Sequence, residues 1–246
     1  MKSLFFNFKK IILFFICFIL IIIFPIKIFA NDEVVEFMNL EEKKIAYLTF
    51  DDGPTIYTER ILDILNEHEI SGIFFVLGSQ IKDLPRSNEI LSRVKSEGHF
   101  IALHTMTHDK FVLYQSEKSP SIFTAEMLEL RSELFNMLGH STKLCRAPYG
   151  KKGHFKIAHH QAVKNAGLYC VDWHIDSRDW ASSNKNEIVK EVATQLALID
   201  DEKDLVLLFH ELSRTADALP EVIRLLKEAD YTFVPYVEGQ VFDGLE

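Results

Sequence analysis

Basic residues are in short supply in this 246-residue chain: 27 Lys and Arg stand against 36 Asp and Glu, for a net charge of −9. A nucleic-acid binder would carry a basic face, so that class is disfavoured. Cysteine is nearly absent, with only Cys17, Cys145 and Cys170. Cys17 falls in an N-terminal apolar run. Cys145 and Cys170 fall on strands expected to be parallel neighbours, an awkward geometry for a bridge. Both are read as buried small hydrophobes, although an exported protein permits a disulfide. The chain also lacks an internal repeat and any linker long enough to mark off a second domain. At 48% hydrophobic, 12% aromatic and 26% charged residues, it is neither disordered nor low-complexity. Its length suffices for one large domain with its own core.

Residues 11–26 are almost purely apolar, with Lys2, Lys9 and Lys10 ahead of them and no acid before Asp32. A positive stretch followed by an apolar one reads as a secretory signal. Ile28-Phe29-Ala30 offers a cleavage point, although Ile28 is large for one. Pro25 and Lys27 shorten the run for a membrane span, while residues 4–26 can serve as an uncleaved anchor. The run has no polar face, which argues against a core helix. The expectation is a signal peptide or membrane anchor over 1–30, a short tether over 31–43 and one functional domain over 44–246. The protein would then be extracellular, at the cell surface or in the cell wall, touching a membrane only through an uncleaved N-terminus. Residues 1–30 carry four Lys and no acid, so the remainder has 23 bases against 36 acids, a net charge of −13. Such a body does not hold anionic polymers by bulk electrostatics.

After residue 43, β-prone apolar runs alternate with segments of helical spacing. Strands are expected at 44–50, 72–77, 100–103, 144–146, 169–175, 205–209 and 232–234. Helices are expected at 59–68, 88–97, 122–138, 156–166, 187–198 and 218–229. Gly98, Gly139 and Gly167 stand at helix stops. Strand–helix units of about 31 residues, repeated about seven times, mean a parallel sheet. The choice is between a doubly wound open sheet and a βα barrel. Both put function at the C-terminal ends of the strands.

The polar residues cluster at those ends. The first strand closes in Thr49-Phe50-Asp51-Asp52-Gly53-Pro54. Two adjacent carboxylates there can take different tasks, one binding a metal and one staying free as a base, although a lone Asp-Asp-Gly is commonly just an acidic turn. His104 and His108, spaced i and i+4, can share one face of a helical turn and grip a cation. With Asp52 they make a two-His, one-carboxylate set that leaves positions open, as catalytic metal sites do. Arg146-Ala147-Pro148-Tyr149-Gly150 offers an Arg to pair with a carboxylate and a stiff loop whose N–H groups can face an oxyanion. Asp176-Ser177-Arg178-Asp179-Trp180 offers two acids and a sugar-stacking aromatic, and Phe209-His210-Glu211 offers a general acid. Each piece alone has a structural explanation; five pieces at five strand ends do not share one. His68, His99, His140, His154, His159, His160 and His174 have no metal-ligand spacing and are read as surface or packing residues.

These motifs resemble the polysaccharide deacetylases with a NodB-type homology domain, carbohydrate esterase family 4. Thr49–Pro54 is similar to that family's T-F-D-D-G-P, His104–His108 to H-[ST]-x-x-H, Arg146–Tyr149 to R-x-P-Y, Asp176–Trp180 to D-x-x-D-W and Leu208–His210 to L-x-H. The likeness spans roughly residues 44–235, and 215–220 looks like the family's closing helix. Leu103 stands where many members carry Asn, and Glu211 where Asp is usual. The resemblance implies an α/β fold, a distorted (β/α)7 barrel, and metal-dependent N-deacetylation of N-acetylglucosamine units. It implies Asp52, His104 and His108 as ligands of one divalent transition metal ion, zinc before cobalt, manganese or nickel. It gives Asp51 as general base held by Arg146, and His210 as general acid tuned by Asp179. Tyr149 would supply an oxyanion-hole N–H, and Trp180 a hydrophobic wall near the acetyl group.

The leading expectation is therefore an exported, monomeric deacetylase whose partner is a GlcNAc-containing polysaccharide, cell-wall peptidoglycan first. Chitooligosaccharide and poly-N-acetylglucosamine are alternatives within that class. Behind them stand a small-amide C–N hydrolase on the same scaffold and, last, a non-catalytic glycan-binding module. Segments 109–121 and 150–156 are where polymer choice is expected to lie.

Overall fold

The computed structural model describes residues 43–199, 204–242 and 244–245. The expected signal or anchor, and the tether up to residue 42, lie outside the described residues. The described chain begins β1 (Lys44–Gly53), α1 (Thr58–Glu67), β2 (Ile73–Val76), α2 (Gly78–Asp83), α3 (Ser87–Ser96) and β3 (Phe100–Leu103). It continues α4 (Lys110–Tyr114), α5 (Ser119–Leu138), β4 (Leu144–Cys145), α6 (Ile157–Asn165), β5 (Tyr169–Cys170) and β6 (Ile175–Asp176). It closes with α7 (Lys185–Leu196), β7 (Asp204–His210), α8 (Ser213–Glu228) and β8 (Tyr231–Thr232).

All ladders are parallel, in the order β5-β4-β3-β2-β1-β7-β6, with β8 beside the start of β1. No ladder among the described residues joins β5 to β6, so the sheet curls into a half-barrel that stays open on that side. This is the distorted (β/α)7 architecture. Its strands are buried on both faces, which is why they read as continuous apolar runs. On the outer face Phe50 stacks between Phe74 and Phe209, at centroid distances of 5.0 and 5.9 Å, beneath the helices. The inner face is filled by Tyr47, Phe75, Ala102, Leu144 and Val206. Residues 233–242 turn back to plug the barrel floor. There Phe242 packs 4.9 Å from Tyr47 and Tyr236 packs 4.6 Å from Phe100.

The expected single strand over 169–175 is two strands at opposite ends of the sheet. Its middle is held by single backbone bonds instead, Asp172 N–H to the Leu245 carbonyl at 3.0 Å and His174 N–H to the Val206 carbonyl at 2.9 Å. The segment crosses the open side, so apolar residues mark its burial and not ladder pairing. Two short helices, α2 and α4, were not expected. Both are too short for periodicity to show, and α4 is set by its Asp109 cap, which accepts from the N–H groups of Phe111 and Val112. The last helix starts at Ser213, not at 218, and carries Pro220 inside it. Thr215, Ala216, Ala218 and Leu219 are all buried against the sheet, and that packing overrides proline's preference for a helix start.

Candidate active site

Strand alternation decides which side chains meet. On β1, Tyr47, Thr49 and Asp51 face the barrel axis, and Asp51 is in register with His210 at the end of β7. The ladder to β2 slips between Asp51 and Gly53, and Asp52 sits at φ 67. This bulge breaks the alternation, so the two neighbouring carboxylates serve different partners.

Asp51 belongs to Arg146. That guanidinium is wholly buried, and its Nη1 donates to Asp51 Oδ1 at 2.8 Å and to Thr49 Oγ1 at 2.7 Å. Its Nη2 donates to the Asp172 carbonyl at 3.1 Å, and its face lies 4.1 Å from the Phe75 ring centroid. A cation this deep is tolerable because each of its three nitrogens donates at least one hydrogen bond and its π-face is covered.

Asp52 belongs to the histidines. Its Oδ1 lies 3.4 Å from His104 Nε2 and 3.3 Å from His108 Nε2. His104 Nδ1 lies 2.9 Å from the Arg146 carbonyl, which can only accept. That nitrogen therefore carries the ring proton and Nε2 presents a lone pair, the tautomer a metal ligand needs. Asp52 Oδ1 is buried with no hydrogen-bond partner, and one ligand atom from each of the three residues falls within 4.8 Å of the others. An orphaned carboxylate oxygen facing the Nε2 atoms of two imidazoles fits a divalent cation. Burial opposes ionisation of Asp52, but with the imidazoles protonated in the metal-free site, His104 first and then His108 and His210, its carboxyl is held well below the ordinary range. Burial also lowers His108, favouring its neutral, ligating form.

The expectation that His104 and His108 share a helical turn is not met. They lie on an irregular loop after β3, with Thr105 at φ 74 and His108 at φ 58. The loop carries them to the same point by strained backbone, not by helical spacing. Of the eight positive-φ residues other than glycine among those described, Asp52, Thr105, His108, Tyr149 and Arg178 lie in the five motifs. Strain of this kind gathers where surrounding structure holds a site in place.

His210 is fixed from behind. Its Nδ1 lies 2.7 Å from Asp179 Oδ1, and its backbone N–H donates to Asp179 Oδ2 at 2.7 Å. Thr215 Oγ1 donates to that same Oδ2 at 2.5 Å. Burial would lower the His210 pKa, but the bond and charge of Asp179, helped by Asp51 and Asp52, push it from 6.5 up to about 9. The ring's Nε2 points back to Asp52 Oδ2, 4.0 Å away.

Asp51, Asp52, His104, His108 and His210 line one cleft of about 420 Å³, together with Tyr149, Trp180, Asp176 and Leu208. Trp180 and Tyr149 are half exposed at its mouth, and the Tyr149 hydroxyl donates to the His108 carbonyl at 3.0 Å. Every residue singled out at the strand ends is thus brought to the cleft or directly behind it. A larger groove of about 630 Å³ between α1 and α8 is lined by surface charges such as the Arg60–Asp217 pair and gathers no such set.

Sequence reasoning missed three contributors. Thr49 carries a signal, since it lies two residues before Asp51 and shares its face. Trp173 is one of only two tryptophans in the chain; it lines the cleft and packs on Gly150, where an added Cβ would lie 2.7 Å from the ring and φ is 71. Glu126, on α5, is buried and bonded to the loop between the two histidines. Nothing in its helical spacing announces that. The remaining histidines are packing or surface groups as expected. His159, for one, is buried, accepting from the Lys156 N–H and meeting the Leu113 carbonyl. Cys145 and Cys170 are in register on β4 and β5, buried and unbridged.

A family model described as polysaccharide deacetylase matches residues 39–171. A peptidoglycan-N-acetylglucosamine deacetylase of Bacillus cereus is 32% identical over 219 residues, covering 88% of this chain and 78% of that protein. A peptidoglycan-N-acetylmuramic acid deacetylase of Bacillus subtilis is 31% identical over 198 residues, covering 79% of this chain and 70% of that protein. The crystal structure of a polysaccharide deacetylase from Bacillus cereus shares the fold with a TM-score of 0.73 and 31% identity, over 82% of this chain and 97% of that one. The open parallel barrel, the cluster at its strand ends and these matches agree: the chain belongs to the polysaccharide deacetylase family, the NodB-type enzymes that hydrolyse carbon–nitrogen bonds.

Proposed function

We propose that the chain is an exported, zinc-dependent N-deacetylase acting on N-acetylglucosamine residues of cell-wall peptidoglycan. The observation that carries this reading is the convergence on one cleft of three different devices. They are a ligand set (Asp52, His104, His108), a buried carboxylate held by a guanidinium (Asp51, Arg146) and an imidazole held by a carboxylate (His210, Asp179). Amide hydrolysis needs an electrophile-activating centre, a base for water and an acid for the leaving nitrogen, and a binding module needs none of them.

Asp52, His104 Nε2 and His108 Nε2 would hold the ion. When bound, a divalent metal supplies Lewis acidity, polarising the acetamide carbonyl and bringing the pKa of water toward roughly 7. Asp51 accepts the proton of the attacking water, while Arg146 keeps its carboxylate aimed at the cleft. The backbone N–H of Tyr149 donates to the oxyanion as the carbonyl carbon becomes tetrahedral. His210 then delivers its Nε2 proton to the nitrogen as the C–N bond breaks, leaving acetate and a free amine. Asp179 keeps the ring protonated and oriented through Nδ1. Trp180 walls the acetyl side.

The polymer assignment is supported by what the two bacillar relatives are named for and by a cleft open enough to leave Trp180 55% and Tyr149 49% exposed. Export is supported by the charge and apolar pattern of residues 1–30. Acetate release from peptidoglycan, chitin oligomers, poly-N-acetylglucosamine and small N-acetyl amides tests the reading, with zinc, cobalt or manganese restored after chelation. Fastest release from peptidoglycan supports it. Preference for a neutral oligomer moves the substrate, and release from small amides alone overturns it.

A further inference from the structure

We propose that Glu126 and Glu211 are positioning residues for the metal ligands, each acting on one of the two turns that carry them; this rests on the metal-site reading above. Neither carboxylate lines the cleft, and both are buried. Glu126 reaches from α5 to the loop between the two histidines. Its Oε2 accepts from the backbone N–H groups of Met106 and Thr107, both at 3.0 Å, and its Oε1 accepts from Thr107 Oγ1 at 2.9 Å. Glu211 does the same for the turn after Asp52. Its Oε2 accepts from the Thr55 N–H at 3.1 Å and pairs with the Thr58 hydroxyl at the start of α1, while its own carbonyl accepts from Thr55 Oγ1 at 2.9 Å. The carboxylate lies so close to Gly53 that a Cβ there would come within 1.7 Å of Oε1.

The need for such tethers follows from the backbone. Asp52, Thr105 and His108 all have positive φ, two being ligands and the third lying between the two histidines. L-residues leave that region when nothing holds them. Loop backbone has no ladder partner, so its N–H groups need acceptors from elsewhere. A carboxyl group taking two or three donors from one turn fixes that turn as a unit. Burial first, and then the nearby Asp52 and Asp51 charges, push the Glu211 pKa up to about 8, so its grip is one of hydrogen-bond geometry and not of charge. Because Glu211 directly follows His210, its grip on Thr55 also ties the Asp52 turn to the strand end that presents the imidazole. Gly53, having no side chain, leaves room for the Glu211 carboxyl group.

The test measures zinc affinity by chelator competition, urea unfolding of the metal-free protein, and kcat and KM at saturating zinc. The proteins are wild type, Glu126→Gln, Glu126→Ala, Glu211→Gln and Glu211→Ala. Outer partners of metal ligands are typically worth about 10- to 100-fold in metal affinity. We expect a loss of that size in each Ala variant, a smaller one in each Gln variant, and KM for the glycan within about threefold of wild type. Should the Ala variants not fold, the Gln variants and Thr107→Val, which removes one bond of the Glu126 set, are expected to give the same ordering of zinc affinity. A purely structural role would lower stability and leave zinc affinity per folded molecule unchanged, and that result overturns the proposal. A wild-type protein that binds no zinc would instead overturn the metal-site reading on which it rests.

Discussion

Replacing Asp179 by Asn separates the acid from the rest of the site. Asp179 is wholly buried, and its carboxylate receives Nδ1–H and the backbone N–H of His210 and the Thr215 hydroxyl. An asparagine amide keeps the shape and an acceptor oxygen but removes the charge. Burial opposes the protonated ring, and Asp179 is the main reason its pKa nevertheless stands at about 9 and not at 6.5. At about 1.4 kcal/mol per unit of pKa, that preference is worth about 3 kcal/mol. Without it the pKa should fall to 6.5 or below. At pH 8 the acid-competent fraction then drops from about nine-tenths to a few per cent, a loss of about 30-fold in kcat/KM, while at pH 6 the loss is under about twofold. The pH dependence of kcat/KM reads this directly as an alkaline limb displaced by about two units. Stability should follow the same linkage. A pKa raised in the folded state stabilises fully below the unfolded value of 6.5 and is lost as pH rises through about 9. The gap between wild type and variant in urea unfolding of the metal-free protein is therefore expected to be wide at pH 6 and closed above pH 9. A uniform loss of activity at every pH, with superimposable limbs, would refute the assignment of His210 as an acid tuned by Asp179.

Other perturbations have equally definite outcomes. Gly150→Ala puts a Cβ 2.7 Å from the Trp173 ring at a φ of 71; we expect about 1–3 kcal/mol of destabilisation by denaturant unfolding, and a lower kcat with unchanged zinc affinity, because the neighbouring Tyr149 N–H shifts. Phe242→Ala empties the barrel floor, where that ring is wholly buried, and should cost about 3–5 kcal/mol while activity per folded molecule stays near wild type. Asp52→Ala removes the orphaned oxygen between the two imidazoles; zinc binding measured by chelator competition should disappear, with little change in the unfolding of the metal-free protein.

Much of this is legible in the sequence because two patterns coincide there. Parallel strands buried on both faces print apolar runs, and motif residues fall just past them, so the order of residues alone marks Asp51, His104, Arg146 and His210. What stays hidden depends on relations across the chain. The run over 169–175 carries the apolarity of a strand, but its residues cross the open side of the barrel, and only three-dimensional packing separates β5 from β6. The loop geometry of His104 and His108 rests on positive φ at Thr105 and His108, which their side chains do not advertise as glycine would. Glu126 sits among several glutamates on α5, and only its contact with Met106 and Thr107 distinguishes it from a solvated charge. Glu211 stands out only as a departure from an expected aspartate.

The central claim is that the cleft hydrolyses N-acetyl groups with Asp51 as base beside a metal held by Asp52, His104 and His108. Its most direct test is acetate release from peptidoglycan by metal-stripped and zinc-restored protein, run beside Asp51→Asn with zinc content measured in both. The account predicts release by the wild type only when zinc is present. It predicts a fall of about 10²–10⁴-fold in Asp51→Asn, with zinc still bound at one ion per chain. Release that survives metal removal, or an Asp51→Asn variant as active as wild type, would contradict it.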